Sequence, residues 1–208
     1  MKHPYACATP PEKISEHHRR VLNTRRRNLL SALARLPRGR EPYDLEIGCG
    51  HGHFLAGYAR AHPNRFCIGI DIAGARLERA QRKTDRAGVD NVGWIHGDAT
   101  LFLDSVPEHL RFSRVFILFP DPWPKKRHHK HRLVGPEFLK RLASLCRPRA
   151  ELYFRSDHIP YVEAVEAALA ASPRWSPESP ETWPWESRTV FQDLAPSYRS
   201  LVARKVDN

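Results

Sequence analysis

The sequence predicts a doubly wound α/β fold built on a mostly parallel sheet, with antiparallel strands at its C-terminal edge. Three observations predict it. Short apolar runs alternate with stretches of helical spacing, a glycine-rich turn follows the first run, and acidic residues stand where later runs end.

The apolar runs are Tyr43 to Ile47, Phe66 to Ile70, Val92 to Ile95, Val115 to Phe119 and Leu152 to Phe154, which are five candidate strands. Between them, Phe54 to Ala61, Gly74 to Ala87, Pro136 to Cys146 and Pro160 to Ala171 carry helix-compatible spacing. Strand, helix and strand in regular succession imply right-handed crossovers and a Rossmann-like sheet covered on both faces. Ahead of this pattern, residues 1–40 carry His17-His18-Arg19-Arg20 and Arg25-Arg26-Arg27 before Leu29, Leu30, Leu33 and Leu36. They predict a basic arm leading into a basic amphipathic helix, followed by a single domain over residues 41–208. After Ala171, Pro173, Pro177, Pro180 and Pro184 interleave with Trp175, Trp183 and Trp185, which excludes regular helix and predicts an extended surface connection. The tail from Ser187 to Val206 alternates loosely enough to supply the closing antiparallel strands.

With 208 residues the chain has enough length for one substantial core. Lys and Arg number 34 against 23 Asp and Glu, a formal charge of +11 that points to a polyanionic partner. Cys7, Cys49, Cys67 and Cys146 stand far apart with no C-x-x-C pair, which argues against a zinc ribbon and a disulfide framework. No apolar stretch approaches the roughly 20 residues of a membrane helix, and the polar, basic start lacks a secretory h-region. A cytoplasmic protein without metal is expected, since His128, His129 and His131 lack a spaced set of partner ligands.

Glu46-Ile47-Gly48-Cys49-Gly50-His51-Gly52 follows the first strand and precedes a helix, the place where a nucleotide-type ligand meets backbone. A dinucleotide site calls for G-x-G-x-x-G. Here the third glycine, Gly52, falls one residue early and His53 stands in the diagnostic place, so NAD is disfavoured. Asp71 ends the second strand 19 residues beyond Gly52, near the spacing at which a carboxylate accepts from ribose hydroxyls. Asp98-Ala99 stands at the end of the third strand. The order of these features resembles class I S-adenosylmethionine-dependent methyltransferases. In that resemblance Glu46, Gly48, Gly50 and Gly52 face the methionine end of S-adenosyl-L-methionine, Asp71 holds its ribose, and Asp98 with Ala99 borders its adenine.

Phe119-Pro120-Asp121-Pro122-Trp123 directly follows the fourth strand and runs into Pro124-Lys125-Lys126-Arg127-His128-His129-Lys130-His131-Arg132. Two prolines restrict the backbone around Asp121, and the cations after it suit phosphate contacts that position RNA without reading its sequence. This block closely resembles the bacterial single-chain tRNA (guanine-N7-)-methyltransferase family, from about Tyr43 to Lys205, including Asn91-Val92 and Ser156-Asp157. The resemblance implies methyl transfer from S-adenosyl-L-methionine to N7 of a guanosine in the tRNA variable loop. It assigns Asp121 as the catalytic aspartate and Lys125, Asp157, Thr189 and the Thr189-Val190-Phe191-Gln192 segment to substrate binding. Arg25, Arg26, Arg27, Lys126, Arg127, Lys130 and Arg132 are the candidate phosphate contacts. A monomer or homodimer is expected, with no obligatory protein partner and no membrane.

Gln192 stands where the family usually has glutamate. An amide offers one acceptor oxygen to guanine N1-H and N2-H₂, whereas a carboxylate offers two, so the exchange implies a loss of about 1–2 kcal/mol. It also motivates an alternative, an RNA-binding and S-adenosylmethionine-binding module with altered or lost guanine methylation. A small-molecule methyltransferase on the same fold would leave the cationic segment without a task. Asp157 has a simpler reading as well, the cap of the helix that follows.

Overall fold

The computed structural model describes residues 16–186 and 197–207. Cys7, Thr189 and Gln192 lie outside them. In chain order the elements are α1 (Glu16–Ala34), β1 (Tyr43–Ile47), α2 (His53–Ala61), β2 (Phe66–Asp71), α3 (Gly74–Arg86), β3 (Val92–His96), α4 (Ala99–Leu103), β4 (Phe112–Leu118), a 3₁₀ turn (Lys126–His131), α5 (Pro136–Leu145), β5 (Cys146–Ser156), α6 (Ile159–Ala170), β6 (Trp175–Glu178), a short 3₁₀ turn (Pro180–Thr182) and β7 (Arg199–Lys205).

The seven strands form one sheet in the order β3-β2-β1-β4-β5-β7-β6. Pairing from β3 through β5 is parallel, and β7 runs antiparallel to both β5 and β6. All five predicted parallel strands are present, and an antiparallel C-terminal edge closes the sheet. The strand order reverses between β1 and β4, the switch point outside which open α/β sheets bind ligands.

Strand β1 is buried at every position, as expected of a strand covered on both faces. On one face Leu29 and Leu33 of α1 join Leu45, Ile47, Ile68, Ile95, Val115 and Ile117 in the main core. The basic helix is therefore docked on the domain, and Gly93 near the start of β3 lets Leu36 approach, since a Cβ there would lie 3.0 Å from it. On the other face Phe54, Leu55 and Tyr58 of α2 pack on Phe116 and Tyr153, with Phe116 and Tyr153 stacked 5.0 Å apart.

Three elements differ from expectation. The proline and tryptophan segment is not a surface connection. Trp175 is 2% exposed and its indole donates to the Leu139 carbonyl at 2.9 Å, while Trp183 and Trp185 pack against the second core cluster. Pro177 is tolerated in a strand because β6 is the outermost of the sheet. Strand β5 starts at Cys146, well before Leu152, through a register shift against β4 in which Arg149 takes a positive φ of 59°. Helix α4 was not predicted either; its five residues are too few for a readable period.

Beneath the sheet runs a polar chain that leaves few groups unpaired. Asp44, fully buried, accepts from the Arg65 guanidinium on both oxygens and from Tyr58 Oη at 2.9 Å. Arg114 continues the chain, donating to Tyr58 Oη at 2.9 Å and to Glu151 at 3.1 Å, and Tyr153 Oη donates to Glu151 at 2.7 Å. Asn91 donates its amide to carbonyls of Ala59, His62 and Arg65 and so ties the end of α2 to the start of β2 and β3.

Candidate active site

The turn after β1 is shaped by three glycines with positive φ, Gly48 at 78°, Gly50 at 53° and Gly52 at 64°. Their surroundings separate their roles. A Cβ at Gly48 or Gly50 would meet nothing within 4 Å, so those two form an open backbone cradle. A Cβ at Gly52 would lie 2.4 Å from Trp94 and 2.8 Å from Ala80. At Gly52, then, packing against Trp94 and Ala80 excludes any side chain.

Asp71 is held at the edge of this cradle. One oxygen accepts from the Gly50 N–H at 2.9 Å and the other from the Ala73 N–H at 2.8 Å. Each oxygen keeps a lone pair for a further donor. Glu46 lies on β1, 4% exposed, and its Oε2 has no hydrogen-bond partner in a buried setting. Burial, reinforced by the charge of Asp71, pushes its carboxyl up to about 8, against a smaller opposing effect from the Leu55 N–H. An orphaned buried carboxyl beside an open glycine cradle fits a ligand that carries a cationic donor. Asp98 caps α4, accepting from the Leu101 N–H at 3.0 Å, and Ala99 is buried as the first residue of that helix.

On the neighbouring strand the register places Ile117 of β4 beside Ile47 of β1. The glycine turn and the Phe119 to Trp123 turn therefore leave the sheet side by side at its carboxyl edge. Phe119 and Trp123 have φ of 50° and 45°, a left-handed conformation unusual for aromatic residues. Such strain persists only where the surroundings over-determine it, and here they do. The Phe119 N–H donates to the Arg155 carbonyl at 2.7 Å, the Phe119 ring meets Tyr198 edge-on, and the Trp123 ring packs on His128 and His131. Between the two strained residues the Asp121 side chain is exposed.

The cationic segment divides in two. Lys125, Lys126, Arg127 and Lys130 are exposed, whereas Arg132 turns inward. Its Nε donates to the Pro122 carbonyl at 2.9 Å, its Nη1 to the Pro160 carbonyl at 3.3 Å, and its guanidinium lies 4.9 Å over the Tyr161 ring. It braces the Asp121 turn against α6 and is not among the outward phosphate-seeking cations. Burial and the surrounding cations Arg127, His131, Lys125 and Lys130 lower the His128 pKa, which favours the neutral ring against Trp123. Arg25, Arg26 and Arg27 are exposed on α1.

Asp157 is exposed at the end of β5 and does not cap α6, whose N-cap is His158 with no side-chain cap bond. Thr189 and Gln192 lie outside the described residues. Sequence reasoning missed Arg155, which is 4% exposed, bonds Ser200 at 2.9 Å, pairs with Glu186 at 2.7 Å and stacks 3.9 Å over Trp183. Nothing in its local sequence distinguishes it from a surface arginine. Among the described residues no group of three or more His, Cys, Asp and Glu could hold a metal ion, and no helix is long and apolar enough to cross a membrane.

Residues 40–198 match a protein-family model described as "Putative methyltransferase". The chain belongs to this methyltransferase family. A tRNA (guanine-N(7)-)-methyltransferase of Synechococcus sp. is 38% identical over 138 residues, 66% of this chain and 58% of the relative. Another, of Leptospira interrogans serovar Lai, is 36% identical over 141 residues, 68% of this chain and 65% of the relative. The matched region thus spans about 58–65% of these two relatives' length. Among solved structures, TrmN from Thermus thermophilus superposes with a TM-score of 0.59 at 18% identity, covering 86% of this chain and 48% of that one, which shows the shared fold. The family membership agrees with the strand order and with the glycine turn at the switch point.

Proposed function

We propose that this methyltransferase moves a methyl group from S-adenosyl-L-methionine to N7 of a guanosine in tRNA, in the cytoplasm. The observation that carries the reading is the juxtaposition on β1 and β4. An open glycine cradle backed by an unpartnered buried carboxyl opens beside a strained turn that presents Asp121. The names of the relatives point to the same activity.

S-adenosyl-L-methionine, when bound, supplies an electrophilic methyl on a sulfonium sulfur. Glu46, Gly48 and Gly50 would hold its methionine end, Asp71 its ribose, and Asp98 with Ala99 its adenine. The low-dielectric setting of Glu46 strengthens its attraction for an ammonium group once the carboxyl has given up its proton.

Guanine N7 carries a free lone pair, so no base has to remove a proton before transfer. The product ring is cationic. Asp121 then orients the guanine and stabilises the positive charge that develops on it, a task that a preorganised carboxylate performs without reorganising. The bracing of its turn by Arg132 and the Phe119 to Arg155 bond provides that preorganisation. Lys125, Asp157, Thr189 and Gln192 are the proposed substrate-binding residues. Arg25, Arg26, Arg27, Lys126, Arg127 and Lys130 are the proposed phosphate contacts, acting by charge and shape.

Incubation of the protein with labelled S-adenosyl-L-methionine and unmodified tRNA, followed by nucleoside identification by mass, tests the proposal. It requires 7-methylguanosine. A different methylated nucleoside would move the substrate assignment, and binding of both ligands without incorporation would establish the non-catalytic alternative in which Gln192 has cost the activity.

A further inference from the structure

The outer face of α3 carries a feature that the site above does not use. Arg79, Arg82, Lys83 and Arg86 recur at i, i+3, i+4 and i+7, and with Ala87 they line a concavity of about 420 Å³. The opposite face of the helix buries Leu77, Ala80 and Thr84, which fixes the direction in which the cations point. None of the four forms an ion pair among the described residues. The helix has two acids of its own, Glu78 and Asp85, and Asp85 is engaged by the Gln81 amide at 2.7 Å.

Four like charges converging on one concave surface repel one another unless an anion joins them, and a concave wall focuses their field. The concavity is also joined to the glycine turn. Lys83 Nζ lies 3.1 Å from the His51 carbonyl and 3.0 Å from His53 Nδ1. Burial lowers the Lys83 pKa, in keeping with an ammonium drawn down onto the protein surface. The cationic row therefore touches the glycine turn at Lys83 and extends along α3 to either side of it.

We propose that this face of α3 is a second docking surface for the tRNA sugar-phosphate backbone, distinct from the cations that follow Asp121; the proposal rests on the tRNA reading above. Seven residues of helix rise about 10 Å, enough to follow about two or three phosphates of one strand. Helix α3 packs on β2 and β3, and β2 lies two strands from β4, a lateral distance of about 10 Å. A polynucleotide that extends from Asp121 across the glycine turn meets the α3 layer on that side of the sheet. Contacts on both sides of the crevice would fix the orientation of the RNA, where one cationic segment alone would leave it free to swing.

The test compares wild type with the double substitution Arg79→Gln/Arg82→Gln, sparing Lys83 because it touches the glycine turn. Affinity for unmodified tRNA is measured across a salt series, with S-adenosyl-L-methionine affinity measured on the same preparations. The pair is expected to weaken tRNA binding by about tenfold and to flatten the slope of log affinity against log salt by about 1.4–1.8. S-adenosyl-L-methionine affinity is expected to hold. Arg79→Lys/Arg82→Lys, which keeps the charge, should retain most of the tRNA affinity. Unchanged affinity and slope in the glutamine pair would overturn the docking surface while leaving the tRNA reading intact. A fall in the lysine pair equal to that in the glutamine pair would overturn docking by charge. Stabilisation of wild type but not of the glutamine pair by inorganic phosphate, with tRNA affinity unchanged, would assign the concavity to a small anion. If wild type itself binds no tRNA, both readings fall.

Discussion

The Arg132 guanidinium donates to the Pro122 carbonyl at 2.9 Å, so the last cation of the basic segment ties down the turn that presents Asp121. It reaches Pro160 and covers the Tyr161 ring at the same time, joining the turn to α6. A planar fork performs these tasks together and an ammonium does not. Arg132→Ala and Arg132→Lys are expected to lower kcat by about 10- to 100-fold, the scale on which a displaced catalytic group loses rate. The salt dependence of tRNA binding should stay as in wild type. Lys130→Ala should do the reverse, flattening the salt slope with little loss of kcat. A flattened slope in the Arg132 variants would return that residue to the phosphate contacts.

Asp121 lies between two residues held at positive φ, Phe119 and Trp123, and its side chain is exposed. Asp121→Asn preserves shape and removes charge. Its kcat is expected to fall by about 100- to 1000-fold, the scale of a lost transition-state electrostatic contact. S-adenosyl-L-methionine affinity, measured by calorimetry, should remain within about twofold of wild type, because the cradle is built on β1 and β2. Full turnover in this variant would remove Asp121 from the chemistry.

Glu46 makes the protein's stability depend on pH in a definite direction. Its carboxyl titrates near 4.5 in the free chain and is raised to about 8 in the fold by burial and Asp71. Between those values the folded state holds a proton that the unfolded chain has released, so stability declines as pH rises from about 4.5 to about 8. Thermal melts of wild type and Glu46→Gln should therefore diverge across this window, with wild type losing ground toward the alkaline end. S-adenosyl-L-methionine affinity should rise with pH over the upper part of the window in wild type and stay flat in Glu46→Gln. Parallel melting curves would show that Glu46 is ionised throughout.

Asp44 anchors the buried polar chain through Arg65 and Tyr58. Asp44→Ala leaves the partly buried Arg65 charge without its partner and is expected to destabilise the protein by about 3–5 kcal/mol. Denaturant unfolding followed by far-UV circular dichroism measures this. Tyr58→Phe removes two hydrogen bonds from the same chain, the one donated to Asp44 and the one accepted from Arg114, and should cost about 2 kcal/mol. Equal losses in the two variants would mean that the ion pair adds nothing beyond packing.

The features legible in the amino-acid order are those that depend on neighbours in the chain. Short runs rich in aliphatic and aromatic residues between Tyr43 and Phe154, bounded by turn residues, marked the parallel strands, because that composition is readable from the chain alone. Glycines between a strand and a helix marked the turn, because only glycine takes a positive φ there without cost. The Phe119 to Trp123 block marked the other half of the site through its prolines. Which way these residues are turned, and what packs beside them, is set by tertiary contacts. Gly52 resembles Gly48 and Gly50 in sequence, yet Trp94, more than forty residues later, fills the space beside it. Arg132 resembles Lys130, yet carbonyls of Pro122 and Pro160 hold it inward. Trp175 reads as part of a loop until the Leu139 carbonyl and strand β7 are beside it. Periodicity and turn chemistry are local properties of a chain. The direction of a side chain is set by partners that only folding brings within reach.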